Sequence, residues 1–171
     1  MKSQDLLILL KIFLWKKGKW SLSSIGEEVG LSKSQVHYGL QRLIHVGLIG
    51  KATKEPKPKK IMELIEYGIQ FMFPAEWQGE GIGMLTSYSM DPLNENIRSN
   101  DKIVWSSELG SEKGNLLQPI YSTVPFACEC DRELYEYFAL IDAYRSGRAR
   151  EKNLALEELK ERIQNRGVKF G

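Results

Sequence analysis

The stretch LSSIGEEVGLSKSQVHYGLQRLIHVGLI, Leu22 to Ile49, decides how this chain is read. It predicts two short helices joined by a tight turn. Ser21 can cap the first helix, and Ser24 with Glu27 offers a second capping spacing. Ile25 and Val29 lie four apart on one face, and Gly26 between them allows another backbone close approach. Gly30 is expected to end this helix in the left-handed conformation that glycine tolerates. Leu31 can plug the turn. Ser32 then caps a second helix running to about Val46, and Gly47 stops it before Leu48 and Ile49 enter a strand.

The second helix has two faces. Val36, Leu40 and Leu43 follow the i, i+4, i+7 rule and are expected to point inward. Ser32, Lys33, Ser34, Gln35, His37, Tyr38, Gln41, Arg42 and His45 are the candidate DNA-binding residues at its cap and outer side. None is a carboxylate, which would repel phosphates. Gln can bond adenine edges, Arg guanine edges, and Ser or Tyr phosphate oxygens. Gly39 breaks the pattern. It either lets the helix sit closer to a neighbour or weakens it by up to about 1 kcal/mol.

Ile25, Val29, Gly30-Leu31-Ser32, Val36, Leu40, Leu43 and the Gly47-Leu48-Ile49 exit resemble the helix-turn-helix of bacterial winged-helix transcriptional regulators, MarR-like ones in particular. With the preceding helix, the resemblance covers about the first third of the chain. It implies a recognition helix in the major groove and a wing hairpin after Ile49. The sequence there is GKATKEPKPKK, where Pro56 and Pro58 remove backbone donors and discourage a regular ladder. The expected wing is short and irregular. Lys51, Lys54, Lys57, Lys59 and Lys60 lie along the DNA backbone in this reading, or solvate a linker.

Charge supports a polyanion at this end. The chain has 171 residues and a net charge of only +2. Residues 1–60 carry 12 Lys and Arg against 4 Asp and Glu, a net of +8. Residues 61–171 carry 12 against 18, a net of −6. A basic head on an acidic body fits a nucleic-acid contact at the head.

The expected fold class is mainly α: an N-terminal winged helix-turn-helix over 1–60, a linking helix over 61–74, and a C-terminal domain over 75–171 for dimerisation or partner binding. A first helix starts at Ser3 or Asp5, with Leu6, Leu7, Leu10, Phe13 and Leu14 as its apolar stripe. A short strand is expected through Trp20 to Leu22. Ile61 to Phe73 reads as one helix. Residues 75–120 read as a long ordered loop with short strands. Its aromatics, Trp77, Tyr88, Trp105 and Tyr121, either anchor the core or line a small-ligand pocket. Gly79, Gly81 and Gly83 alternate, but no Lys-Ser/Thr pair follows, so a phosphate loop is not expected. Pro125 to Cys130 makes one turn. Asp131 caps a helix to about Tyr144, Ser146-Gly147 breaks it, and a last helix runs from about Arg148 to Asn165. Arg145, Arg148 and Arg150 either clamp an acidic partner or pair locally with Asp142 and Glu151.

Cys128 and Cys130 lack a partner pair at zinc spacing, and both histidines, His37 and His45, lie in the recognition helix. The cysteines read as reduced and structural, with no metal and no cofactor. Leu6 to Trp15 is too short to span a bilayer, and no cleavage site follows it, so a cytoplasmic protein without a signal peptide is expected. No GxSxG, HExxH, Walker loop or triad is present, so an enzyme is not expected. The expected function is a sequence-specific DNA-binding transcriptional regulator, working as a homodimer on double-stranded DNA. The alternative is an interaction module, such as a winged-helix antitoxin or adaptor whose acidic C-terminal region binds another protein.

Overall fold

A computed structural model describes residues 1–167. The last four residues of the expected C-terminal domain, 168–171, lie outside the described residues. The order of elements is α1 (Ser3–Phe13), α2 (Leu22–Val29), α3 (Lys33–His45), α4 (Pro58–Tyr67), α5 (Ile69–Met72), β1 (Trp77–Leu85), β2 (Ile103–Ser106), β3 (Glu112–Leu117), α6 (Val124–Glu129), α7 (Arg132–Ser146) and α8 (Ala149–Gly167).

This is a mixed α/β arrangement, and it corrects the expected fold class. The described strands all lie within residues 77–117, and none follows α3 directly. After α3 the backbone makes one isolated bridge, Ile49 to Pro56. The Gly50 and Lys57 amides close it by donating to the Glu55 and Leu48 carbonyls, each at 2.9 Å. Pro56 and Pro58 cannot donate to a ladder, so pairing stops there. The N-terminal third is therefore not a winged helix-turn-helix, and the rest is not a helical region with a long loop. The strand expected at Trp20 to Leu22 is also absent, because Ser21 already caps α2.

Residues expected to form a long loop with short strands form a three-stranded sheet. β1 is antiparallel to both β2 and β3, with Met84 opposite Trp105 and Gly81 opposite Gly114. β2 and β3 pair in parallel, Val104 opposite Leu116, so each strand contacts both others. A Cβ at Gly83 would collide with the Trp105 carbonyl oxygen. Glycine there lets the two strands cross closely.

Two helices form the centre. α1 is buried on every side from Asp5 to Leu14, more than a stripe. α7 is buried from Tyr137 through Arg145. Phe13 of α1 meets Tyr137 of α7 edge to face at 6.3 Å. Burying each such side chain contributes about 1.5–3 kcal/mol. One continuous hydrophobic cluster runs from Leu6 to Ile163.

The helix expected over Ile61 to Phe73 divides at Gly68 into α4 and α5. Asp131 caps α7 as expected, its Oδ1 accepting from the Leu134 amide at 3.0 Å. α8 buries Ala155, Leu159 and Ile163; of the stripe its spacing predicts, Ala149, Lys152, Leu156, Leu159 and Ile163, the last two are buried. Trp105 is fully buried and donates its indole N–H to Asp142, so this aromatic anchors the core.

Candidate nucleic-acid interface

The α2–α3 pair is built by its caps. Ser21 Oγ accepts from the Ser24 amide at 3.0 Å. Gly30 ends α2 at φ 67° and ψ 36°, a left-handed conformation suited to glycine. Ser32 and Gln35 then form a reciprocal capping box. The Gln35 amide donates to Ser32 Oγ at 3.2 Å, and the Ser32 amide donates to Gln35 Oε1 at 2.9 Å. Each such cap contributes about 1 kcal/mol. A Cβ at Gly26 would lie 2.5 Å from the Leu31 carbonyl oxygen, which explains the small residue there.

The seat of α3 is α1. A Cβ at Gly39 would collide with Ile8 and approach Asp5 Oδ1 to 3.1 Å. Gly39 thus permits close packing, the first of the two options its position offered. Val36, Leu40 and Leu43 are buried as expected.

The opposite side faces solvent. Ser32, Lys33, Ser34, His37, Tyr38, Gln41 and His45 are exposed, Tyr38 by 62%. Gln35 is half-buried, with its carbonyl oxygen engaged in the cap. His37 and Tyr38 rings meet edge to face at 5.5 Å. Ser34, Tyr38, Gln41 and His45 follow one another at three- and four-residue steps, so they line one face over about 17 Å of helix.

Arg42 is placed differently from its sequence neighbours. Its Nε donates to Asp5 Oδ2 at 2.8 Å and its Nη2 to Asp5 Oδ1 at 2.7 Å. The Asp5 side chain is fully buried, and its Oδ2 also accepts the Lys2 amide at 2.7 Å. Donating to the Asp5 carboxylate raises the Arg42 pKa above its ordinary value. The guanidinium fork that could read guanine is therefore occupied by a carboxylate. Arg42→Ala should leave that carboxylate buried and underpaired, at a cost of about 2–3 kcal/mol. Urea unfolding checks this. A loss below about 0.5 kcal/mol would mean that the pair is only a surface contact.

Lys51, Lys54, Lys57, Lys59 and Lys60 are all exposed, in the turn that leaves α3 and at the start of α4. Among the described residues none of them forms an ion pair, and neither does Lys33. Other head cations are spent internally. Lys11, almost fully buried, bridges Glu28 at 2.5 Å and Asp131 at 2.6 Å. Burial alone would lower the Lys11 pKa, but the two carboxylates outweigh it and raise the value. Burial likewise opposes ionisation of Glu28, and Lys11 with Lys17 outweighs it, so its pKa falls. Lys16 pairs with Glu133 at 2.5 Å. Part of the head-to-body charge contrast is thus an internal contact that sequence counting cannot separate from free charge.

The remaining expected residues lie apart from this face. Arg145 is buried and pairs with Asp142 at 2.7 Å, the local pairing option. Arg150 is exposed and reaches the Asn96 carbonyl. Cys128 is buried and Cys130 exposed, both as free thiols. Burial, with Asp131 and Asp142 nearby, pushes the Cys128 thiol well above its ordinary pKa. Among the described residues no group of three or more His, Cys, Asp or Glu is placed to hold a metal ion, and no helix is long and apolar enough to cross a membrane. No protein-family model, curated protein or solved structure matches this chain.

Proposed function

We propose that this chain is a sequence-specific DNA-binding regulator that lays the outer face of α3 in a major groove. The observation that carries the reading is the combination of an exposed, carboxylate-free face on α3 with the unpaired lysines next to it. A groove about 12 Å wide admits a helix of this kind. Tyr38, Gln41 and His45 supply donors, acceptors and a flat surface toward base edges. Lys33, Lys51, Lys54, Lys57 and Lys59 supply phosphate contacts, which position the helix without reading sequence. The likeness of the 25–49 motif to bacterial transcriptional regulators supports the same reading. Arg42 takes no part in it, because Asp5 holds it.

A single helix reads few base pairs, so the proposal includes two copies on a site of two half-sites. The interaction-module alternative has less support. Several acids of the second half already pair internally, Asp131 with Lys11, Glu133 with Lys16 and Arg166, and Glu136 with Arg132 and Arg162.

Base reading and phosphate holding separate by mutation. Gln41→Ala with Tyr38→Ala should reduce affinity for a selected duplex by about tenfold or more, since each good base contact contributes about 1–3 kcal/mol. Affinity for scrambled duplex should change less than threefold, read by fluorescence anisotropy of labelled duplexes. Equal losses on both duplexes would reject base reading by this face.

A further inference from the structure

We infer that the groove between the end of α3 and the outer face of α4 is the contact surface for a second copy of this chain. This rests on the two-copy DNA reading above and adds the surface that joins the copies. The groove holds about 650 Å³. Val46 and Leu48 form one wall, and Leu64, Tyr67 and Met72 the other. Its lining is mostly apolar. Tyr67 is 70% exposed, Val46 48% and Met72 42%. Phe71, one turn beyond Tyr67, is exposed as well. The two aromatics alone leave on the order of 300 Å² in water. That is about the size of the largest apolar patch on an ordinary monomer, and such patches are often functional.

Three features select a second copy as the occupant. A two-fold contact pairs one patch with itself, so the patch must hold both hollow and bump. This one has the hollow beside Leu48 and Leu64 and the projecting Tyr67. The same contact must also balance its own charge. The rim carries Lys60 and Glu63, one of each sign, so Lys60 of one copy can meet Glu63 of the other. Neither residue has an ion-pair partner within its own chain among the described residues. Lastly, Val46 directly follows α3. A two-fold axis through the groove would hold two α3 helices at a fixed separation, which is what two half-sites require.

The test needs no DNA, so its outcome is independent of the binding proposal. Sedimentation equilibrium of the full chain at micromolar concentration should give a two-chain particle. Val46→Glu with Tyr67→Glu should give single chains, with an unchanged circular dichroism spectrum because both side chains project into water. Lys60→Glu should weaken the dimer at least tenfold, Glu63→Lys should do the same, and the two together should restore it. A wild-type chain that stays single at these concentrations overturns the inference. So does a dimer that survives Val46→Glu with Tyr67→Glu, or a charge exchange that fails to restore association.

Discussion

Asp142→Ala should cost about 3–5 kcal/mol, a large part of the 5–15 kcal/mol that holds an ordinary domain folded. Asp142 is 1% exposed and sits in α7 where the helix meets the sheet. Its Oδ2 accepts from Trp105 Nε1 at 2.6 Å and from Thr86 Oγ1 at 2.8 Å. Its Oδ1 accepts from Arg145 Nε at 2.7 Å. The Arg145 guanidinium continues to the carbonyl oxygens of Pro74, at 3.0 Å, and of Gln118. One carboxylate therefore joins α7, β2, the turn after β1 and the segments flanking the sheet. Removing it leaves a buried cation with carbonyl partners only, plus two stranded donors. Asp142→Asn keeps one acceptor oxygen and should cost clearly less. Urea unfolding followed by tryptophan fluorescence separates these cases. The midpoint should fall steeply for alanine with the slope unchanged. A loss below about 1 kcal/mol would show that the network adds little to the fold.

Replacing Lys51, Lys54, Lys57 and Lys59 together with alanine should lower affinity for every duplex and flatten its salt dependence. Each phosphate contact contributes about 0.9 to the slope of log affinity against log salt, so four contacts contribute roughly 3–4. At low salt the variant should bind tens to thousands of times more weakly, with its preference among sequences kept. Folding stability should change little, because these side chains are exposed and unpaired among the described residues. Anisotropy titrations across a salt series check this. An unchanged slope would mean that the lysines stand away from the phosphates. The Gln41 and Tyr38 substitutions should show the converse behaviour, with selectivity lost and the slope kept.

The α2–α3 pair was legible because its signals are local. Ser21, Gly30, Ser32 and Asp131 each act within four residues of themselves, and all hold the ends expected of them. The sheet was not legible. β1 reads WQGEGIGML, and its glycines hide a strand because they lack the β-branched or aromatic side chains that mark one. For Gly83 the reason lies elsewhere in the chain, in the Trp105 carbonyl that it must clear. The parallel pairing of β2 with β3 likewise leaves no local trace.

Distance in sequence also explains Arg42. Periodicity puts it beside Gln41, and its partner Asp5 lies 37 residues away on a helix that otherwise reads as apolar. An acid directly before LLILLKIF, with one arginine in the head to answer it, was the available clue. Lys11 gave a similar one, and its partner Asp131 is 120 residues distant. Lone charges inside a buried helix require a partner, and the sequence does not say which.

Selection of bound duplexes from a random pool at physiological salt tests the central claim most directly. The account predicts enrichment of one short motif occurring as two inverted half-sites about one helical turn apart, and loss of that enrichment with Gln41→Ala and Tyr38→Ala. Recovery of an unenriched pool, or of no DNA at all, would contradict it.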